Sequence, residues 1–169
     1  MSFRIKKVLN LNLPRRKNNR LKDFDYSTPG AYFVTICTYN KQKLFEIEHE
    51  TESVPLQNRL IHKWLKETEK KFGVTIEKYV IMPNHIHFIL VITERHIGRS
   101  LQEVMRWFKT MVTNGYIQAV KNGMLKPFQR KIWQKSYYDH IVRCEHDYKD
   151  IWEYIEANPL KWEIAKLND

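Results

Sequence analysis

The chain has 169 residues, 43% of them hydrophobic, which suits one globular domain with a real core and excludes disorder throughout. Lys and Arg outnumber Asp and Glu by 29 to 19, a formal charge of +10 that favours a polyanionic partner such as nucleic acid over a neutral small molecule. Two cysteines, Cys37 and Cys144, are too few for a disulfide framework or a thiolate zinc site, and no apolar run reaches membrane-spanning length. With no apolar signal-peptide core near Met1, a cytoplasmic setting and no membrane partner are expected.

Residues 1–28 are basic and lack hydrophobic periodicity. Arg15, Arg16, Lys17 and Arg20 could neutralise phosphates, each adding salt-dependent affinity, although a solvated terminus explains them nearly as well. Residues 29–169 then read as a single catalytic domain. Pro29-Gly30 precedes Ala31–Tyr39, a run of β-branched and aromatic residues that predicts a first strand. After Pro55, Leu56, Leu60, Ile61, Trp64, Leu65 and Phe72 recur at helical spacing up to Gly73, with His62 off the apolar stripe and expected to face solvent. Val74–Met82 predicts a second strand, and the short Pro83-Asn84 corner turns it back into an antiparallel third.

That third strand carries His85 and His87 in an apolar run. Alternate strand residues face the same way, so the two imidazoles share a face roughly 6 to 7 Å apart, a workable spacing for one metal ion. Ile86, Phe88 and Leu90 point the other way, into a core. Ser100–Glu103 has the form of a capping box, and Leu101, Val104, Met105, Phe108, Met111, Val112 and Tyr116 continue the stripe of a second helix to about residue 120. The stretch that follows interleaves Arg130, Lys131 and Lys135 with Phe128, Trp133, Tyr137 and Tyr138, cations and stacking rings that suit single-stranded nucleic acid; a core aromatic cluster is the plainer reading for some of these rings. Tyr138–Cys144 predicts a fourth strand, and Glu145–Asn158 a helix stopped by Pro159. The element order is that of a ferredoxin-like, RRM-like α+β fold with an antiparallel sheet, helices on one side and an added C-terminal helix.

Two histidines are an incomplete metal site. On the last helix Tyr154 and Asn158 are four residues apart and project from one face, so a phenol and an amide are presented together, and an Asn oxygen with two imidazoles suits Mg²⁺ or Mn²⁺. On spacing alone the simpler reading, a packed ring and a helix-end amide, prevails. Among the other tyrosines, Tyr148 has Trp152 one turn later rather than an amide, and Tyr137 and Tyr138 belong to the aromatic block. His140 could join the site or cap the fourth strand.

Four ordered blocks change the balance: Tyr32–Thr38, Met82–His87, Trp133–His140 and Tyr154–Pro159. Together they resemble the single-strand DNA transposases with a His-hydrophobic-His motif and one catalytic tyrosine, in particular the REP-associated tyrosine transposases. The resemblance spans about residues 15 to 162 and implies a tyrosine helix added to the ferredoxin-like fold. It also implies His85, His87 and Asn158 as ligands of Mg²⁺ or Mn²⁺, Tyr154 as the nucleophile, and a 5′-phosphotyrosine intermediate on single-stranded or hairpin DNA. Some relatives exchange the tyrosine helix in dimers, whereas the REP-associated type is expected to be a monomer. The rival expectations are a non-catalytic RRM-like nucleic-acid-binding module and a metal-dependent nuclease that activates water.

Overall fold

In the computed structural model, described over residues 25–49, 52–93 and 100–167, four strands form one antiparallel sheet. The β-branched run becomes β1 (Gly30–Cys37); β2 (Thr75–Met82) and β3 (His85–Ile92) form the hairpin expected around Pro83-Asn84; β4 is Tyr138–Val142. The sheet order is β2-β3-β1-β4, so β3 is central and its neighbours fix its register: Cys37 lies opposite His85, Thr35 opposite His87 and Met82 opposite His85 on the other side. Segments after β1 grip the hairpin corner. Leu44 N donates to the Pro83 carbonyl at 2.9 Å, and Thr38 N to the Asn84 carbonyl at 2.9 Å.

Period-two alternation divides the sheet into two faces. Tyr32, Val34 and Ile36 of β1, with Ile86, Phe88 and Leu90 of β3, pack under α1 (Leu56–Phe72) and α2 (Leu101–Lys121). Both helices keep their predicted termini. Gly73 ends α1 at φ 58°, a left-handed conformation open to glycine at little cost, and Ser100 and Glu103 complete a reciprocal capping box on α2. Tyr116 is buried in this core, as its place on the stripe predicts.

The opposite face is covered by α3 (Glu145–Leu167), whose Ile151, Tyr154 and Ile155 pack on Phe33 and Ile89. Two expectations are corrected here. Pro159 does not stop the helix, which runs on to Leu167. An interior proline removes the N–H that would bond the Ile155 carbonyl and crowds that carbonyl with its ring, yet the helix continues, and beyond it Trp162 lies 5.9 Å from the His85 ring and Glu163 3.7 Å from His49. His62 is not simply solvent-facing, since its ring is held between the Tyr79 hydroxyl at 2.7 Å and the Glu48 carboxylate at 2.6 Å.

Candidate active site

β3 delivers His85 and His87 to the α3 face with ring centroids 4.6 Å apart, and both are buried, at 7% and 1% exposure. Each imidazole is held through Nδ1. The Asn84 side-chain oxygen lies 2.6 Å from His85 Nδ1, and because that oxygen can only accept, Nδ1 carries the proton. Thr35 Oγ1, directly across the β1–β3 pairing, lies 2.7 Å from His87 Nδ1, and Phe33 stacks on the His87 ring at 5.4 Å. Pinning Nδ1 in this way leaves the His85 Nε2 lone pair available, and turns His87 Nε2 toward α3, which is how metal-binding histidines are commonly oriented. Burial pushes the His85 pKa down to about 4, and burial together with neighbouring His85 holds His87 well below the usual imidazole range, so both rings are neutral at neutral pH.

α3 brings its phenol to this pair and carries its amide one turn further along the same helix. The Tyr154 hydroxyl lies 3.4 Å from His87 Nε2, and the ring stands edge-on to Phe33 at 6.0 Å. Asn158, one turn on, donates from Nδ2 to the Tyr154 carbonyl at 3.4 Å, which leaves Oδ1 free to accept. Tyr154 and Asn158 are each 7% exposed. Burial raises the Tyr154 pKa above its ordinary value near 10, opposed in part by hydrogen bonding from the Asn158 side chain. Lys161 Nζ sits 5.4 Å from the centre of the Tyr154 ring.

Two buried polar atoms here, His85 Nε2 and Trp162 Nε1, have no partner among the described residues. His85 Nε2 is sequestered and unpaired, although nearly all buried polar atoms in folded proteins are hydrogen-bonded. An electron-pair donor left unpaired beside a second imidazole, the two rings 4.6 Å apart and at 73° to each other, fits a divalent cation. Among the described residues no three His, Cys, Asp or Glu side chains group as a metal site, so a third protein ligand would be a neutral oxygen donor, for which the Asn158 amide, one turn on from Tyr154, is a candidate.

The remaining candidates fall elsewhere. Arg15, Arg16, Lys17 and Arg20 lie outside the described residues. Arg130, Lys131 and Lys135 are exposed on the loop before β4. Trp133 is 6% exposed, stacked on Phe45 at 5.5 Å and bonded through Nε1 to the Lys109 carbonyl at 3.2 Å, so its ring packs the core rather than offering a face to a base. His140 stands opposite Phe33, but its Nε2 is 2.9 Å from Asp147 in the first turn of α3, so it ties strand to helix and does not meet the histidine pair. Sequence reasoning missed Thr35 and Asn84 as orienting groups. Asn84 was signalled by its place directly before His85, whereas Thr35 becomes visible only once the register of β1 on β3 is known.

The family model "Transposase IS200 like" matches residues 27–158, ending on Asn158. An uncharacterized protein of Haemophilus influenzae is 33% identical over 94% of this chain and 96% of its own length. The REP-associated tyrosine transposase of Escherichia coli is 22% identical over 80% of this chain and 70% of its own. A solved REP-associated tyrosine transposase bound to a REP hairpin shares the fold, with a TM-score of 0.63 at 19% identity over 86% of this chain and 74% of that one.

Proposed function

The chain belongs to the IS200-like transposase family, enzymes that act on DNA, and from that premise we propose that it cleaves and rejoins single-stranded DNA through Tyr154 with the help of a divalent metal. The observation that carries this reading is the meeting of Tyr154 on α3 with His87 on β3, segments almost seventy residues apart, beside an unpaired His85 nitrogen and with Asn158 one turn on from the phenol. His85 Nε2, His87 Nε2 and Asn158 Oδ1 would hold Mg²⁺ or Mn²⁺. The ion supplies positive charge that polarises a scissile phosphate and makes the phenolate less costly in a buried site.

The chain's own residues do the positioning. Burial keeps the imidazoles neutral, and Thr35, Asn84 and Phe33 keep them aimed, so no proton has to leave a ring before it can ligate. Packing on Phe33 fixes the Tyr154 ring, and α3 sets the phenol and the amide one turn apart. A phenol with a raised pKa is protonated at rest, which suppresses stray attack until a phosphate and a cation share the site. Attack by Tyr154 Oη on phosphorus forms a 5′-phosphotyrosyl bond and breaks the bond to the 3′ oxygen, which leaves with a proton as a free hydroxyl. A DNA 3′-hydroxyl reverses the step, so the diester energy is conserved and no nucleotide cofactor is consumed.

Hairpin DNA is the substrate form favoured by analogy with the REP-associated relatives. The residues before 29 are proposed as a basic DNA-binding arm on a single catalytic domain, and a monomer is the proposed unit. The RRM-like alternative is disfavoured by α3, which covers the sheet face that such a module leaves open for bases. A water-activating nuclease remains distinguishable by experiment. Incubating the protein with labelled hairpin oligonucleotides and Mn²⁺ is expected to give a denaturation-resistant covalent adduct that is absent with chelator and absent from Tyr154→Phe. Cleavage that persists in Tyr154→Phe would establish the nuclease instead.

A further inference from the structure

A second chemically distinctive place lies where the turn after β1 meets the loop before β4. Tyr39 N donates to the Ile132 carbonyl at 2.7 Å, and Gln134 N to the Cys37 carbonyl at 2.9 Å. Gln42 locks the two segments from the side: its Oε1 accepts from Gln129 N at 2.6 Å, and its Nε2 donates to the carbonyls of Tyr39 at 2.9 Å and Lys131 at 3.1 Å. Within this clasp Asn40, Lys41 and Arg130 hold φ values of 55°, 53° and 52°, a left-handed conformation unfavourable for residues with a Cβ. Such conformations persist where the surroundings over-determine them, and they concentrate at functional surfaces.

The clasp displays a defined set of groups. Lys41, Arg130, Lys131 and Lys135 are exposed, and no carboxylate among the described residues pairs with them. Lys131 Nζ sits 4.8 Å from the centre of the half-buried Tyr39 ring. Beneath them Lys109 Nζ donates to the Gln134 carbonyl at 2.6 Å, and burial, with a smaller contribution from the charge of Lys131, pushes its amine down to about 8. The platform is also coupled to the histidines. Thr38, the residue before Tyr39, donates through N and Oγ1 to the Asn84 carbonyl at 2.9 and 3.1 Å, and the Asn84 side chain holds His85.

An aromatic ring with one cation beside it and further exposed cations on the same clasp suits an unpaired nucleotide, the ring stacking the base and the cations holding its phosphates. The geometry points to a nucleotide subsite in which Tyr39 stacks one unpaired base while Lys41, Arg130 and Lys131 hold the phosphates on either side of it, joined through Thr38 and Asn84 to the strand end that carries His85. Rigid loops set the distance from this base to the scissile phosphate. The subsite therefore selects single strand over duplex, whose bases are already stacked. This inference rests on the proposed single-strand activity and names a contact that activity would use.

Binding measured without metal on a Tyr154→Phe background separates the two claims, since it needs no chemistry. The probe is an oligothymidylate of about twelve nucleotides, within the range such proteins cover, carrying one 2-aminopurine moved along the strand. Quenching is expected at one position, to be lost in Tyr39→Ala and kept in Tyr39→Phe, with Tyr39→Ala weakening affinity roughly 5- to 100-fold. Lys131→Gln, which leaves the aromatic ring in place, is expected to reduce the slope of log K against log salt by about 0.7. Affinity for Tyr39→Ala within about twofold of its parent, or an unchanged salt slope for Lys131→Gln, overturns the subsite even where the Tyr154 adduct forms.

Discussion

On the sheet face toward α1 and α2, Val34, Ile36, Ile86 and Phe88 are fully buried among apolar partners, whereas the alternate residues of the same two strands place Thr35, His85 and His87 beneath α3. The first face loses water from apolar surface alone, and each large side chain there contributes roughly 1.5–3 kcal/mol. The second face buries ring nitrogens and hydroxyls, which costs free energy unless every polar atom finds a partner, and His85 Nε2 finds none. Strand parity thus lets one sheet hold itself together with one side and keep a reactive, imperfectly satisfied site on the other.

That division is open to direct attack, and the largest effect is expected on the dry face. Phe88→Ala removes a ring packed against Phe108 at 6.2 Å and should cost about 3–5 kcal/mol in denaturant titrations, while the folded fraction retains its adduct-forming activity. Loss of adduct formation per folded molecule would mean that the faces are coupled rather than divided.

Acid should find the other face. The folded protein holds His85 near pKa 4, whereas the unfolded chain titrates near 6.5, so between these values the unfolded state takes up a proton that the folded state refuses. Metal-free stability should therefore fall as pH drops from 6.5 to 4, by about 3 kcal/mol from this residue, with His87 adding to the loss in the same direction. Comparing thermal melts of the parent and His85→Gln isolates the effect, and equal pH slopes in the two proteins would show that His85 is not held neutral by burial. A smaller change is expected from Thr35→Val, which keeps shape but removes the hydroxyl from His87 Nδ1. Mn²⁺ affinity by calorimetry should weaken roughly 10- to 100-fold. Unchanged affinity would assign the orientation of His87 to Phe33 stacking alone.

Much of this arrangement was legible in the residues. Tyr32–Thr38 and His85–Leu90 announce strands by β-branching, Ser100 and Glu103 announce a helix start, and parity alone puts His85 and His87 on one face. Tyr154 and Asn158 share a helix face for an equally local reason. What local pattern could not carry was pairing between distant segments. Thr35 reads as an ordinary strand residue until register sets it opposite His87, and Trp133 reads as a stacking ring until the Thr38–Trp133 bridge folds it onto Phe45. Pro159 misled for the opposite reason: a local preference to end the helix there does not decide the outcome once the helix is packed on the sheet face, where Trp162 beyond it still reaches the His85 ring.

The most direct test of the proposed site is to digest the covalent protein–DNA product formed with Mn²⁺ and locate the nucleotide by mass spectrometry. The account predicts a 5′-phosphate on the peptide containing Tyr154 and on no other tyrosine. Attachment to Tyr148, Tyr138 or any residue away from the His85–His87 pair would contradict it.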